Sequence, residues 1–155
     1  MRALGVDLGE QRVGLAVSDS TGVLASPYGV IERTGDPRRD RQALADIVAE
    51  VHAELVVVGM PLSMSGVAGK AALAAEKEAV ALAAVVGVPV ETFDERLTTV
   101  EAVRRRHERA SLSPGDRRRG RHSAPALSRA AHRRSGLDAE AAAVMLAAWL
   151  DSRPR

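Results

Sequence analysis

Short apolar runs separated by polar turns open the chain. Residues 3–8 and 13–17 are rich in Val, Leu and Ala and flank a brief polar stretch, the pattern of two strands joined by a tight turn. A third strand is read over residues 23–31, with a break or bulge at Pro27, whose missing N–H interrupts a ladder. Asp36-Pro37 then reads as a helix N-cap and first helical residue. Behind it, Leu44, Ile47, Val48 and Val51 recur at i, i+3, i+4 and i+7, one apolar face of a helix. Residues 55–59 form a continuous apolar run, as in a strand buried on both faces. An Ala-rich helix over 70–86 ends at Gly87, a suitable C′ residue. A fifth strand covers 89–93. Thr98 and Glu101 make a capping box that starts a helix near Thr99. The closing helix covers 139–150, with Leu137, Ala141, Met145 and Ala148 able to line one face.

This order has three strands in succession, then alternating helices and strands. The first half implies antiparallel pairing and the second half parallel pairing. The expectation is therefore an α/β fold with a mixed five-stranded sheet flanked by helices. A chain of 155 residues suits one domain with a full core. Residues 110–135, rich in Ser, Pro, Gly, Arg and His, interrupt the pattern and read as a flexible Arg-rich insertion in that domain, with 124–132 able to form one short helix.

Charge sharpens the picture. The net charge of +2 divides into +9 within residues 104–134 and −7 over the rest. One very basic segment on an acidic body points to a polyanion partner, and nucleic acid is the expected one. Arg117, Arg118, Arg119 and Arg121 are the candidate phosphate contacts there. Cysteine is absent, which excludes disulfides, thiolate metal sites and cysteine nucleophiles. No apolar run is long enough to span a membrane, and no apolar segment opens the chain, so no membrane partner and a cytoplasmic location are expected. Tyr28, Phe93 and Trp149 are the only aromatics, leaving an aliphatic core and little material for base stacking.

The candidate chemistry is acidic. Asp7, the pair Asp94-Glu95 and Asp138 each lie at the edge of an expected element. Ligand sites in such sheets form at the carboxyl ends of parallel strands, where Asp7 and Asp94-Glu95 are expected to emerge on one edge. Converging carboxylates suit hard cations, Mg²⁺ or Mn²⁺, and two such ions can drive phosphodiester hydrolysis without a nucleophilic side chain. Each acid also has a plain structural role open to it. Asp7 suits an Asx-turn, Asp94 a turn cap, Glu95 a solvated partner of Arg96, and Asp138 the N-cap of the closing helix. Gly5, Gly9 and Gly14 permit close approach of a backbone or a phosphate. The loop with Ser63, Ser65, Gly66 and Gly69 precedes a helix and offers backbone N–H groups to an anion, without a Walker A spacing. His107, His122 and His132 lack metal-ligand spacing and read as surface residues.

Several blocks together resemble a known family. Gly5-Val6-Asp7-Leu8-Gly9 with Arg12-Val13-Gly14-Leu15-Ala16-Val17-Ser18-Asp19 resembles its opening signature. Residues 58–66 resemble its central loop, residues 94–102 its most specific block, and residues 138–151 its closing helix. The family is the YqgF/RuvX group of pre-16S ribosomal RNA nucleases, also described as Holliday-junction resolvases. The resemblance implies a ribonuclease H-like fold and a divalent-metal nuclease acting on structured RNA in ribosomal RNA 5′-end maturation. It implies Asp7, Glu95 and Asp138 as metal-binding acids, Asp94 as an auxiliary, and Arg12 and Arg96 near the phosphate path. Two departures stand out: Ser63 and Ser65 replace the family's Asn and Asp, and the insertion before Asp138 is longer than typical. The alternatives are a DNA-junction resolvase, which requires a two-fold dimer, and a non-catalytic RNA-binding assembly factor. The oligomeric state, monomer or homodimer, stays open. An actin–hexokinase type of phosphate-binding domain also opens with Asp, Gly and a hairpin, but it needs two such domains, more than 155 residues supply.

Overall fold

The first two strands, β1 (Ala3–Leu8) and β2 (Arg12–Ser18), pair antiparallel with Asp7 opposite Gly14. A computed structural model describes residues 1–61, 69–94 and 131–154. Within them β3 (Ala25–Glu32), α1 (Pro37–Glu50), β4 (Leu55–Met60), α2 (Lys70–Val86), β5 (Val90–Asp94) and α3 (Ala131–Ser152) complete the element order. The sheet order is β3-β2-β1-β4-β5, antiparallel on the β3-β2-β1 side and parallel from β1 through β4 to β5. This is the mixed five-stranded sheet expected from the element order.

Local chemistry explains most boundaries. The Asp19 carboxylate accepts the N–H groups of Val23 and Leu24 at 2.8 and 3.0 Å, so these residues belong to a turn and β3 starts two residues later than the apolar pattern suggests. Register slips between Leu15 and Ala16, which face Gly29 and Pro27 and leave Tyr28 as the extra residue of a bulge at the expected place. Asp36 caps α1 by accepting the Arg38 N–H at 3.0 Å, with Pro37 in the first turn. Gly87 ends α2 with φ of 71°, a conformation that costs glycine little. Capping of the helix expected near Thr99 falls on residues outside those described.

The closing helix departs from expectation. Its described part runs from Ala131, so residues 131–135 belong to it and not to an insertion, and Asp138 lies inside the helix instead of capping it. Gly136 is the lone weak helix former in that stretch, and a single glycine costs only ~1 kcal/mol against alanine. The buried face also differs. Ala139, Ala142, Ala143, Leu146 and Trp149 are buried with Met145 and Ala148, whereas Leu137 is 72% exposed and Ala141 is exposed. An alanine-rich helix has apolar residues all round, so its own pattern does not choose a face.

Alternation divides each strand between two cores. Ala3, Ala16, Val57 and Phe93 pack under α3, while Leu4, Val6, Val13, Leu15, Val56 and Val58 pack under α1 and α2. Across the second layer, Arg41 forks onto Glu78 with two 2.9 Å bonds and ties α1 to α2. On the first, Trp149 Nε1 donates to Glu91 at 3.1 Å and fastens α3 to β5. Glycines let α3 approach closely. A Cβ on Gly5 would lie 2.9 Å from Leu146 Cβ, and one on Gly14 would overlap the carbonyl oxygen of Asp138. No helix among the described residues is long and apolar enough to cross a membrane.

Two outcomes are expected. Gly14→Ala, which pushes backbone against backbone, should lower stability by about 1–3 kcal/mol in chemical denaturation; an unchanged midpoint would show that α3 yields freely. The second concerns Asp19. Burial alone raises its pKa, but hydrogen bonds from Thr21 and from the backbone of Leu24, Val23 and Gly22 outweigh this and hold it below the ordinary aspartate value. Its stabilising contribution is therefore complete above the unfolded pKa and is lost as pH falls through the folded one. Thermal unfolding of Asp19→Ala should show a shallower loss of stability on acidification than the parent, and parallel acid limbs would refute the assignment.

Candidate active site

Asp7 sits near the C-terminal end of β1, and alternation places it on the same face as Ala3 and Gly5, the face covered by α3. Its cross-strand partner is Gly14. Because Gly14 has no side chain, the second turn of α3 settles directly on it through the main chain of Asp138. The main chain of Asp138 thus lies over the strand position paired with Asp7. Both are partly buried, so their carboxylates border solvent.

Arg12 completes this corner. It starts β2, and its Nε donates to Asp138 Oδ2 at 3.0 Å, with both side chains a little over one-third exposed. Such half-solvated pairing is worth little to stability. Its effect is positional: the carboxylate of Asp138 is held beside the β1–β2 turn by a fixed cation. That turn is closed by the Gly9 N–H donating to the Arg12 carbonyl at 2.9 Å. All three early glycines therefore accommodate the chain itself, Gly9 the carbonyl of Arg12 and Gly5 and Gly14 the closing helix.

Asp94 ends β5 in register with Met60 of β4, and β4 is parallel to β1. Asp7 and Asp94 accordingly emerge at the same edge of the sheet. They differ in face. Phe93 belongs to the core under α3 and Val90 packs with the core under α1 and α2, so alternation gives Asp94 the face opposite Asp7. Glu95 and Arg96, which follow directly, lie outside the described residues, as do Arg117, Arg118, Arg119 and Arg121 and the loop with Ser63, Ser65 and Gly66. Among the described residues, no three His, Cys, Asp or Glu side chains form a group able to hold a metal ion. Of the candidate residues, Asp7, Asp138 and Arg12 are the ones the described structure gathers at one corner of the sheet.

The Arg12–Asp138 bond spans 126 positions and no sequence signal announces it. A wall of the same edge also escaped the sequence reading. A cavity of about 580 Å³ lies on the other side of the β1–β2 turn, and Arg12 borders it as well.

The chain is similar to several known proteins over nearly its whole length. A protein from Anaeromyxobacter dehalogenans (strain 2CP-C) named "Putative pre-16S rRNA nuclease" is 40% identical over 153 residues, covering 99% of this chain and 98% of its own. One of the same name from Rippkaea orientalis is 36% identical over 151 residues, covering 97% and 96%. The fold is similar to that of Thermus thermophilus RuvC, solved in complex with a Holliday junction substrate, with a TM-score of 0.57 at 17% identity over 99% of this chain and 95% of that one. A family model described as "RuvX: Holliday junction resolvase" matches residues 1–152, and the chain belongs to that family.

Proposed function

We propose that this protein is a divalent-metal-dependent nuclease that hydrolyses phosphodiester bonds in structured RNA, with 5′-end maturation of pre-16S ribosomal RNA in the cytoplasm as its role. The observation that carries this reading is the packing of the Asp138 main chain on Gly14, the cross-strand partner of Asp7, with Arg12 bonded to Asp138. The names of the full-length relatives supply the substrate.

Asp7, Asp138 and Glu95 would hold the ion. The donor set fits a hard cation, because it consists of carboxylates alone in a chain without cysteine. Bound Mg²⁺ or Mn²⁺ would supply an activated water and stabilise the leaving oxygen. The chain's own groups do the rest. Arg12 keeps Asp138 from turning away into solvent, and Asp94 lends charge to the same edge as an auxiliary. Arg96 would lie along the phosphate path, and Arg117, Arg118, Arg119 and Arg121 would grip the backbone of the nucleic acid.

A second reading has one observation in its favour, the description of the family as a Holliday junction resolvase. Resolution of a four-way junction needs two active sites related by a two-fold axis, whereas a single cut in RNA needs one. A binding-only assembly factor is the third outcome of the same experiment. Labelled ribosomal RNA precursor and a four-way DNA junction, incubated in parallel with Mg²⁺, Mn²⁺ or chelator, separate the three. Metal-dependent cutting of RNA alone is the expected result. Cutting of the junction alone favours the resolvase, and cutting of neither favours the binding role.

Asp7→Asn removes one ligand and one negative charge. It should lower cleavage by more than about a hundredfold, beyond the usual cost of losing an outer partner of a ligand, while RNA binding in a filter assay is kept or strengthened. Full activity in this variant would refute the mechanism. Replacing Arg117, Arg118, Arg119 and Arg121 by Ala should weaken RNA binding and reduce the slope of log affinity against log salt by about 3. An unaltered slope would remove these residues from the interface.

A further inference from the structure

The cavity beside Arg12 opens at the same sheet edge as Asp7 and Asp138, on the opposite side of the β1–β2 turn. Its volume of about 580 Å³ lies within the range of small-molecule pockets. Leu8, Val13 and Leu44 contribute apolar surface, and Glu10, Glu32 and Asp40 bring carboxylates to its walls. The walls are braced. The Arg33 N–H donates to the Gln11 carbonyl at 2.8 Å, which ties the end of β3 to the turn. Asp40 accepts from the backbone and hydroxyl of Thr34 at 3.0 and 2.8 Å, which fixes the start of α1. The fork of Arg41 on Glu78 closes the far side.

The lining decides the occupant. Carboxylates repel a phosphate, so the cavity itself does not suit one. They do not gather closely enough for a cation either, since no three acids among the described residues do so. A flat neutral group with N–H donors and apolar faces satisfies both halves of the lining. A nucleobase has these properties, and Glu and Asp recognise bases through their exocyclic amino groups. Arg12 and Arg33 also line the cavity, and the sugar–phosphate of the same nucleotide would lie against them. Arg12 also reaches Asp138, so the base pocket and the acids share one wall. Unpaired RNA bases are commonly splayed out and read on their edges in this way.

We infer that this cavity receives the base of an unpaired nucleotide next to the bond to be cut, and that it selects bases carrying an exocyclic amino group. The inference rests on the nuclease reading for the neighbouring phosphate, but the pocket is testable without it. The probes are the four ribonucleosides, which carry no phosphate, added without metal to isotopically labelled protein and followed by chemical shifts. Cytidine, adenosine and guanosine should move the resonances of Leu8, Val13 and Leu44 saturably and bind about tenfold more tightly than uridine, which has no exocyclic amine. In the double variant Glu10→Ala and Glu32→Ala, which removes the acceptors at two exposed positions and whose folding is checked by the same spectra, this preference should largely vanish. Equal binding of all four nucleosides, a preference unaltered in the double variant, or no saturable shift at those residues overturns the inference. Nucleoside binding by a protein that cuts nothing would support the pocket and remove the catalytic reading. Cutting of RNA without nucleoside binding would remove the pocket alone.

Discussion

The contact of α3 with the β1–β2 pair is the constraint on which the site depends. Two sheet positions, Gly5 and Gly14, present backbone instead of side chain to the helix. Leu146 and the main chain of Asp138 fill the space that side chains at Gly5 and Gly14 would otherwise take. The closeness matters twice. It seals an aliphatic core that has almost no aromatic side chains to bridge a wider gap, and it sets the main chain of Asp138 over the strand position paired with Asp7. A larger residue at Gly14 would lift the helix at the very turn that carries the acid.

The sheet contributes rigidity from its other face. Strands β1 and β4 are buried on both sides, and the layer of α1 and α2 is joined by the Arg41–Glu78 fork. Strands so enclosed do not slip in register, because a one-residue slip would move each apolar set to the wrong side. The C-terminal edge of β1, β4 and β5 is therefore a fixed platform. Asp7 and Asp138 stand on one side of it and the apolar-floored cavity on the other. Arg12, at the start of β2, belongs to both. That shared residue makes the two features parts of one surface.

Arg12 and the acidic pocket walls also bear on how an acidic body handles a polyanion. Outside residues 104–134 the chain carries −7, which opposes phosphate binding at long range. Local cations at the edge offset this only where they are held, and the bond between Arg12 and Asp138 is such a hold. Metal ions at the carboxylates would offset it further. Affinity would then come from the basic segment and register from the edge, a division common where phosphate contacts position a nucleic acid and base contacts specify it.

Much of this was legible in the chain before any coordinates. The strand order, the N-cap at Asp36, the bulge near Pro27, the end of α2 at Gly87 and the mixed sheet follow from short-range chemistry: periodicity, capping and φ preference act within a few residues. Asp7 and Asp94 were also evident as residues near the ends of expected strands. Three things were not. The buried face of α3 was misread because alanine is tolerated on every side of a helix, so the choice falls to the sheet it meets. Asp138 lies inside α3 and not at its start, because nothing in 131–137 stops a helix. The pairing of Arg12 with Asp138, and the opposite facing of Asp94, depend on which strand lies beside which. Sequence by itself thus determined the elements and the inventory of chemical groups. The tertiary structure decided which of those groups meet, because contacts between residues 126 positions apart are set by packing and register, and no local rule encodes them.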